Sequence, residues 1–401
     1  MTNTRRNFLK GSAGLATMGA LGSVALAAGG RATAAVTGTG TAPDAPAIQH
    51  RTENMTQVYR ALALQTACHA VNASKDVAAA RSKIAANIAR VDRQIRASKQ
   101  FIGQDLRMVV LPEYFATGYP LGDTIPGWAK KAAFAMDGPE YDALAKSAQD
   151  NKVYLTSNAY ETDPNFPGLY FQASVVFDDA GNTVLRYRRM VSLFAPTPYD
   201  VWDKYLDVYG IDGVFPVAHT PLGRLACVAS EEILYPEIAR SLALRGAEVF
   251  LHSTSEVGSP ALTPKDIAKR ARAFENMAYV ISANTAGILD VDIPNQSTDG
   301  MSKIVDDQGR VMVECGDGES MVAFADIDIR ALRGRRERPG MGNILSRLPR
   351  DAMAKGLAPA ALQPNALLPN GELRIPERAE FAQRQRVTIE ALKTAGILGN
   401  D

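Results

Sequence analysis

The chain has 401 residues, of which 46% are hydrophobic, so it is long enough to bury one large core or two. Its 44 basic and 43 acidic residues leave a net charge of +1, which gives no electrostatic reason to expect nucleic acid or an anionic membrane surface as a partner. The three cysteines and four histidines lack the spacing of a metal site, so we expect neither a metal nor another cofactor.

The N-terminus has the features of an export signal. Adjacent Arg5 and Arg6 precede the residues FLK in the order of a twin-arginine signal, and a weakly hydrophobic run follows from Gly11 to Gly30. Residues 32–34, ATA, form a small-residue cleavage pattern. The run is rich in Gly and Ala, so its insertion energy is marginal and a cleaved signal is favoured over a membrane anchor. This predicts a signal over residues 1–34, a periplasmic location and no stable membrane insertion after cleavage.

Residues 35–57 predict a linker, because Gly, Thr, Pro, Asp and Ala dominate and no apolar period appears. Strands and helices then alternate. The apolar run Tyr59–Gln65 predicts a strand, the periodic stretch Val71–Gln100 a long helix, and Met108–Leu111 a second strand. This alternation predicts an α/β layer architecture.

Glu113 follows that second strand directly, within VVLPEYFATGYP. A carboxylate at the exit of a buried strand usually caps a turn or is solvated. The alternative is a general base, because a carboxylate shielded from water takes up a proton readily.

Two later stretches also point to a site. Residues 169–194, LYFQASVVFDDAGNTVLRYRRMVSLF, predict two strands joined by a turn at 178–182, and their end carries Arg189. Residues 223–240, GRLACVASEEILYPEIAR, predict a buried strand, a tight bend at Ser230 and a helix that starts at Pro236. Such a bend lifts one side chain clear of a sheet, which is where enzymes place a nucleophile.

The stretch around Ser230 resembles the nucleophile segment of the nitrilase (carbon–nitrogen hydrolase) superfamily. Five of its residues fall in register with the family pattern: Gly223, Tyr235, Pro236, Glu237 and Arg240. Ser230 fills the position of the family's catalytic cysteine. The stretch around Glu113 resembles the first catalytic motif, and residues 169–194 resemble the second, with Arg189 in the position of the catalytic lysine.

The resemblance spans residues 58–335 and implies a nitrilase-type four-layer α-β-β-α sandwich, followed by a C-terminal extension over 336–401. It implies Glu113 as general base, Arg189 as the cation that stabilises an oxyanion, and Ser230 as nucleophile. The candidate substrate-binding residues are Tyr119, Glu232, His252 and Asp203, the last at a place where family members often have a second structural carboxylate. Residues 195–212, which contain Asp203, predict a long loop with a short helical turn.

The replaced cysteine leaves three interpretations open, since a serine hydroxyl is far less acidic than a thiol and normally needs a His-type base. The chain could be an amidase-type hydrolase of a small amide or nitrile that uses Ser230. It could be an inactive relative that binds a small amide or carboxylate, with Arg189 as anchor. It could also be a structural or partner-binding subunit. Cys227 is a weak substitute nucleophile, because it lies three positions upstream and faces the other side of the strand.

The last part of the chain, 336–401, is rich in Pro, Arg and Ala and ends in a helical pattern from Glu377 to Ala395. Tails of this kind in the family pack across a partner subunit. The sequence therefore predicts a homo-oligomer, a dimer or larger, in which this extension contributes to the interface.

Overall fold

The computed structural model describes residues 58–257, 259, 261–357 and 364–398, so the predicted export signal and linker lie outside the described residues. The strands are β1 (Val58–Ala63), β2 (Cys68–His69), β3 (Leu106–Val110), β4 (Phe134–Ala135), β5 (Tyr154–Thr162), β6 (Phe171–Phe177), β7 (Thr183–Arg188), β8 (Ala218–Thr220), β9 (Gly223–Ala229), β10 (Val249–Ser253), β11 (Tyr279–Ala283), β12 (Ile288–Leu289), β13 (Lys303–Val305), β14 (Val311–Glu314) and β15 (Phe324–Asp328). The α-helices are α1 (Val77–Ile102), α2 (Ile125–Ala132), α3 (Pro139–Asn151), α4 (Trp202–Val214), α5 (Pro236–Leu244), α6 (Pro264–Asn276), α7 (Ile329–Glu337), α8 (Arg350–Leu357) and α9 (Arg378–Thr394).

Two large sheets form the centre of the fold. The first has seven strands in the order β15-β1-β3-β5-β6-β7, with β4 paired to β5, and the second has six in the order β14-β13-β11-β10-β9-β8. Neighbours β1, β3 and β5 run parallel in the first sheet, as do β9, β10 and β11 in the second. The loops that follow these parallel strands therefore meet at one edge of each sheet, where ligands bind in open α/β folds.

Three apolar clusters separate four layers. Alternate residues of β9 point in opposite directions: Leu225 and Cys227 pack between the two sheets, whereas Ala226 and Val228 pack against α5 and α6. The outer face of the first sheet packs on α1 in the same way. Strands β6, β10 and β11 are buried on both faces, in agreement with their continuous apolar runs in the sequence. The predicted four-layer α-β-β-α sandwich is confirmed.

Helix α1 begins at Val77 rather than at Val71. The side chain of Asp76 accepts a hydrogen bond from the N–H of Ala79 at 2.8 Å, which satisfies one of the donors that a helix start leaves unpaired. This N-cap determines where the helix begins, so residues 71–75, which the apolar period had included, lie outside it.

Residues 195–212 differ from the predicted loop with a short helical turn. Most of the stretch belongs to a short 3₁₀ turn and to α4, whose regular course is interrupted at Gly210 with φ of 62°. Glycine adopts this left-handed conformation without steric cost, and the interruption weakens the helical periodicity of the sequence. Tyr205 and Val214 nevertheless reach the core beside the first sheet.

The described part of the C-terminal extension packs against its own chain. Leu367 and Phe381 are buried in the same apolar cluster as the outer face of the first sheet. The N–H of Leu367 donates to the carbonyl of Asp200 at 2.9 Å. The extension therefore contributes to the fold of a single chain, whereas its predicted role across a partner subunit stays a prediction.

Candidate active site

Glu113 is the third residue after the end of β3 and is 1% exposed. Its N–H donates to the carbonyl of Thr254 at 3.2 Å. One carboxylate oxygen, Oε1, accepts from Gln172 Nε2 at 2.6 Å and from Arg189 Nη1 at 3.3 Å. Glu113 is thus a buried carboxylate held by an amide and a guanidinium.

Gln172 is a site residue that the sequence reasoning missed. Besides holding Glu113, its side-chain oxygen accepts from Arg189 Nη1 at 2.5 Å, and its Nε2 also donates to Asn158 Oδ1 at 3.0 Å. The signal in the sequence was a single polar residue in the otherwise apolar start of β6. A polar side chain inside an apolar strand needs a buried partner, and here it has three.

Arg189 lies just beyond β7, and its guanidinium is almost fully occupied by protein acceptors. Nη1 donates to Glu113 and Gln172, Nη2 donates to Glu231, and Nε donates to the carbonyl of Val191. A guanidinium has five N–H groups, so one hydrogen on Nη2 has no acceptor among the described residues. Burial alone would lower the pKa of Arg189, but Glu113 and Glu231 beside it raise that pKa above its ordinary value.

Ser230 follows the last residue of β9 in a left-handed backbone conformation, with φ of 50°. This region is unfavourable for a residue with a Cβ, and such strain is concentrated at functional sites. Ala229 of β9 pairs with Ser253 of β10, which places Ser230 beside Thr254, the residue that binds the N–H of Glu113. Glu113 and Arg189 are therefore in contact, and the strand pairing places the backbone of Ser230 near them, while their joint role in one site stays a prediction.

Glu232 was predicted to bind substrate, and the structure assigns it another task. Its carboxylate accepts from the N–H groups of Met190 at 2.6 Å, Val191 at 3.1 Å and Ala229 at 3.2 Å, and from the Tyr187 hydroxyl at 2.8 Å. The side chain is fully buried, which raises its pKa to about 7 even though Arg189 and these donors lower it. Glu232 thus ties the segment after Arg189 to the segment of Ser230.

His252 was also predicted to contact substrate, and the structure contradicts this. Its Nε2 lies 2.9 Å from the Ser230 carbonyl oxygen and its Nδ1 lies 2.8 Å from Ser282 Oγ. A carbonyl only accepts, so Nε2 carries the proton and Nδ1 accepts from the serine hydroxyl. Burial lowers the pKa of His252 well below its usual value. Both nitrogens are occupied, and the neutral ring supports the Ser230 backbone.

The remaining two predicted residues differ in their placement. Tyr119 is half-buried, with its ring centroid 5.8 Å from that of Tyr114, the residue after Glu113, so a role in substrate binding stays a prediction. Asp203 is exposed in the first turn of α4, and its N–H donates to Asn365 Oδ1 at 2.9 Å. The structure therefore does not bring Asp203 to this cluster.

Cys227 is fully buried between the sheets, and burial raises the pKa of its thiol. Cys227 therefore packs in the core on the other side of the strand from Ser230. Among the described residues, no group of three His, Cys, Asp or Glu side chains is arranged to hold a metal ion. None of the described helices is both long enough and apolar enough to span a membrane.

The arrangement is a hydroxyl on a strained bend, a buried carboxylate and a fixed guanidinium at the carboxyl ends of parallel strands. The fold and this site define a hydrolase-type α/β sandwich. A family model described as carbon–nitrogen hydrolase matches residues 34–337. The chain belongs to the carbon–nitrogen hydrolase family. A second model, the twin-arginine translocation signal sequence, matches residues 2–22, which supports export.

The curated relatives with similar sequences include formamidases. One from Bacillus cereus is 26% identical over 212 residues, which are 53% of this chain and 59% of the formamidase. One from Bacillus thuringiensis shows the same identity and the same shares. The chain thus spans about 59% of the length of these relatives.

Solved structures show the same fold. Saccharomyces cerevisiae Nit3, a member of branch 10 of the nitrilase superfamily, aligns with a TM-score of 0.56 at 18% identity over 71% of this chain and 96% of its own. An amidase from Nesterenkonia aligns with a TM-score of 0.53 at 17% identity over 76% of this chain and 98% of its own. At such identities the likeness concerns the fold alone.

Proposed function

We propose that this protein hydrolyses the carbon–nitrogen bond of a small amide, with Ser230 as nucleophile, Glu113 as general base and Arg189 as stabiliser of the oxyanion. The observation that supports this most is the contact between Glu113 and Arg189 beside a serine held in a left-handed conformation. A packing role for Ser230 gives no reason for that strained backbone, whereas a nucleophile at a tight bend does.

The reaction runs in two halves. The Ser230 oxygen bonds to the amide carbon, its proton passes to Glu113, and the carbonyl oxygen becomes an oxyanion near Arg189. Glu113 returns the proton to the nitrogen as the carbon–nitrogen bond breaks, so ammonia or an amine leaves and an ester with Ser230 remains. Water then attacks that ester with Glu113 as base, which releases the carboxylic acid and restores Ser230.

The number of unused N–H groups on Arg189 favours an amide ligand over a carboxylate ligand. A carboxylate binds most strongly to two parallel N–H groups of the guanidinium fork, and the described acceptors leave only one hydrogen on Nη2. One donor suffices for a carbonyl oxygen. The relatives agree with this class of substrate: two are named formamidases, and variants of the Nesterenkonia amidase have been solved with acrylamide and with butyramide.

We place the reaction in the periplasm, because a twin-arginine signal exports chains that have already folded. Signal removal after Ala34 leaves the mature chain that the experiments below use.

The test measures ammonia release by the mature chain from formamide, acrylamide and butyramide. Wild type is expected to turn over at least one of them, and Ser230→Ala to lower the rate at least about 10³-fold, the usual cost of removing a nucleophile. A serine-directed phosphonate should label wild type and leave Ser230→Ala unlabelled. Cys227→Ala is the matched control and should keep the wild-type rate.

The double substitution Ser230→Cys with Arg189→Lys distinguishes two explanations of a low rate: a weak nucleophile in an otherwise competent site, and a site that no longer supports the reaction. Faster release of ammonia by this variant shows that the rest of the pocket works. If wild type releases no ammonia and takes no phosphonate label, the proposal of a working serine hydrolase is wrong. An amide that then raises the melting temperature of both wild type and Ser230→Ala would identify a binding protein instead.

A further inference from the structure

One guanidinium from the C-terminal extension binds three segments that carry Glu113, Gln172 and Arg189 of the candidate active site. Arg378, the first residue of α9, donates from Nη1 to the carbonyl of Phe194 at 2.8 Å and from Nη2 to the Tyr170 hydroxyl at 3.0 Å. Its Nε donates to the carbonyl of Asp123. These acceptors are far apart in the sequence, and Arg378 brings them to one point.

Each acceptor belongs to a segment that carries a residue of the site. Asp123 ends the stretch that begins with Glu113. Tyr170 lies next to β6, two positions before Gln172, whose amide joins Glu113 to Arg189. Phe194 lies in the loop that starts with Arg189. Glu113, Gln172 and Arg189 contact one another at the inner end of these segments, and Arg378 joins the same segments at the outer end.

The aromatic side chains between the two ends are packed in series. The Tyr170 ring meets Tyr160 edge-on at 5.1 Å, and Tyr160 stacks on Tyr114 at 5.6 Å, measured between ring centroids. Tyr114 directly follows Glu113 and has φ of 58°. A displacement at Tyr170 is therefore transmitted through close-packed rings to the residue beside the base, since protein interiors do not deform freely.

The extension is itself anchored firmly enough to hold Arg378 in place. Leu367 and Phe381, on either side of Arg378 in the sequence, are buried in the main core cluster. Arg384, two turns further along α9, forms an ion pair with Asp200. The guanidinium thus lies between fixed points, and its three bonds restrict the loops that they reach.

We propose that Arg378 is a positioning residue for the amide-hydrolysing site, so that the C-terminal extension completes the site from within the same chain. This rests on the proposed function as far as turnover is concerned. Arg378 contacts no reacting atom; it acts through the loops that carry Glu113 and Arg189. Displacement of a reacting group by about 1 Å can cost about 10²-fold in rate, so loss of this restraint should be visible in turnover.

The test compares Arg378→Ala with Arg386→Ala, a matched control on the exposed face of the same helix. Arg378→Ala is expected to lower kcat for the best amide about 10- to 100-fold, with a smaller change in KM. Arg386→Ala should behave as wild type. Guanidinium ion in the buffer should restore part of the lost kcat of Arg378→Ala, and Arg378→Lys should fall between the two because lysine lacks the planar fork.

Hydrogen exchange tests the positioning without relying on turnover. Peptides covering residues 113–123 and 187–195 should exchange faster in Arg378→Ala than in wild type or Arg386→Ala, while peptides from β9 and β10 should not change. If no variant shows amidase activity, faster exchange in these two peptides alone still supports the positioning role, and the proposed function fails separately. Equal exchange in all three proteins, or equal loss of kcat in Arg386→Ala, would overturn the inference.

Discussion

Arg188 and Arg189 are neighbours in the chain, and both are buried, yet they belong to two different kinds of charged cluster. Arg188 lies between Glu161 and Asp163, with hydrogen bonds of 2.8 and 2.5 Å, and all three side chains are at most 1% exposed. Its guanidinium also lies about 5 Å from the ring centroids of Phe171 and Tyr209. Every part of this cluster is enclosed by protein.

The cluster around Arg189 is enclosed on one side only. Glu113 is 1% exposed, but the Glu231 side chain is 32% exposed, and one N–H of Arg189 has no acceptor among the described residues. Ser230, which precedes Glu231 in the sequence, has a strained left-handed backbone conformation. The contrast shows that charge and burial do not by themselves identify a site. What distinguishes the second cluster is the partly exposed carboxylate of Glu231 and the unused N–H of Arg189.

The comparison predicts the largest effect for Arg188→Met. Removing this guanidinium leaves two fully buried carboxylates near each other and takes away its packing on aromatic rings, which should lower the free energy of unfolding by about 3–5 kcal/mol. Arg189→Met should cost less, since Glu231 reaches water and Glu113 keeps its bond to Gln172. Urea unfolding of both variants measures the difference. A larger loss in Arg189→Met would contradict the distinction between the two clusters.

Glu232 allows a second test, through pH. Its pKa of about 7 in the folded chain is above the ordinary value of 4.5. Between these two values the folded chain binds a proton that the unfolded chain has lost. Stability from this group is therefore complete below pH 4.5 and is lost as the pH rises through about 7, by at most about 1.4 kcal/mol per pH unit and about 3 kcal/mol in total.

Glu232→Gln should remove that slope, whatever its effect on absolute stability. The free energy of unfolding, measured by urea at several pH values between 4.5 and 8, gives the slope of each protein. Glu337→Gln, at the exposed end of α7, is the control and should keep the wild-type slope. An unchanged slope in Glu232→Gln would show that its carboxylate stays ionised in the fold, which would assign the pH dependence to another group.

The smallest expected change in the free energy of unfolding comes from the backbone strain at Ser230, beside the cluster around Arg189. Ser230→Gly relieves a left-handed conformation that costs a serine about 1 kcal/mol or more, while glycine gains entropy in the unfolded chain, so the free energy of unfolding should rise by at most about 1 kcal/mol. Ser241→Gly, within α5, should lower it by about 0.5–1 kcal/mol. Thermal unfolding of both variants checks whether stability rises in Ser230→Gly and falls in Ser241→Gly. A loss of stability in Ser230→Gly would show that the serine side chain stabilises the bend more than the strain costs.

Much of the site was accessible from sequence because its main residues lie at the ends of strands. Glu113, Arg189 and Ser230 were identified because the short stretches that contain them resemble the family's motifs, and Glu113 and Arg189 are in contact in the structure. Glu232 and His252 were placed near the site correctly but given the wrong task. The position of a residue in a motif locates it on a strand or loop. Its role depends on its hydrogen-bond partners, and these come from other elements of the fold.

Gln172 and Arg378 show the limit more clearly. Arg378 lies outside every motif, and nothing in the stretch 169–194 singled out Gln172. Each acquires its role from partners that are distant in sequence, such as Glu113 for Gln172 and Tyr170 for Arg378. Helix α4 was missed for a related reason: Gly210 interrupts its period, and the packing of Tyr205 and Val214 stabilises it in spite of that.

The sequence by itself determined the alternation of strands and helices, because an apolar period is a local property, and its resemblance to the family singled out Glu113, Arg189 and Ser230. Only the tertiary structure decided that Arg189, and not Arg188, pairs with a carboxylate that is partly exposed to solvent, Glu231. It also decided that the C-terminal extension packs against the core of its own chain. The physical reason is that desolvation and hydrogen bonding depend on all the neighbours in space, most of which are remote in the sequence.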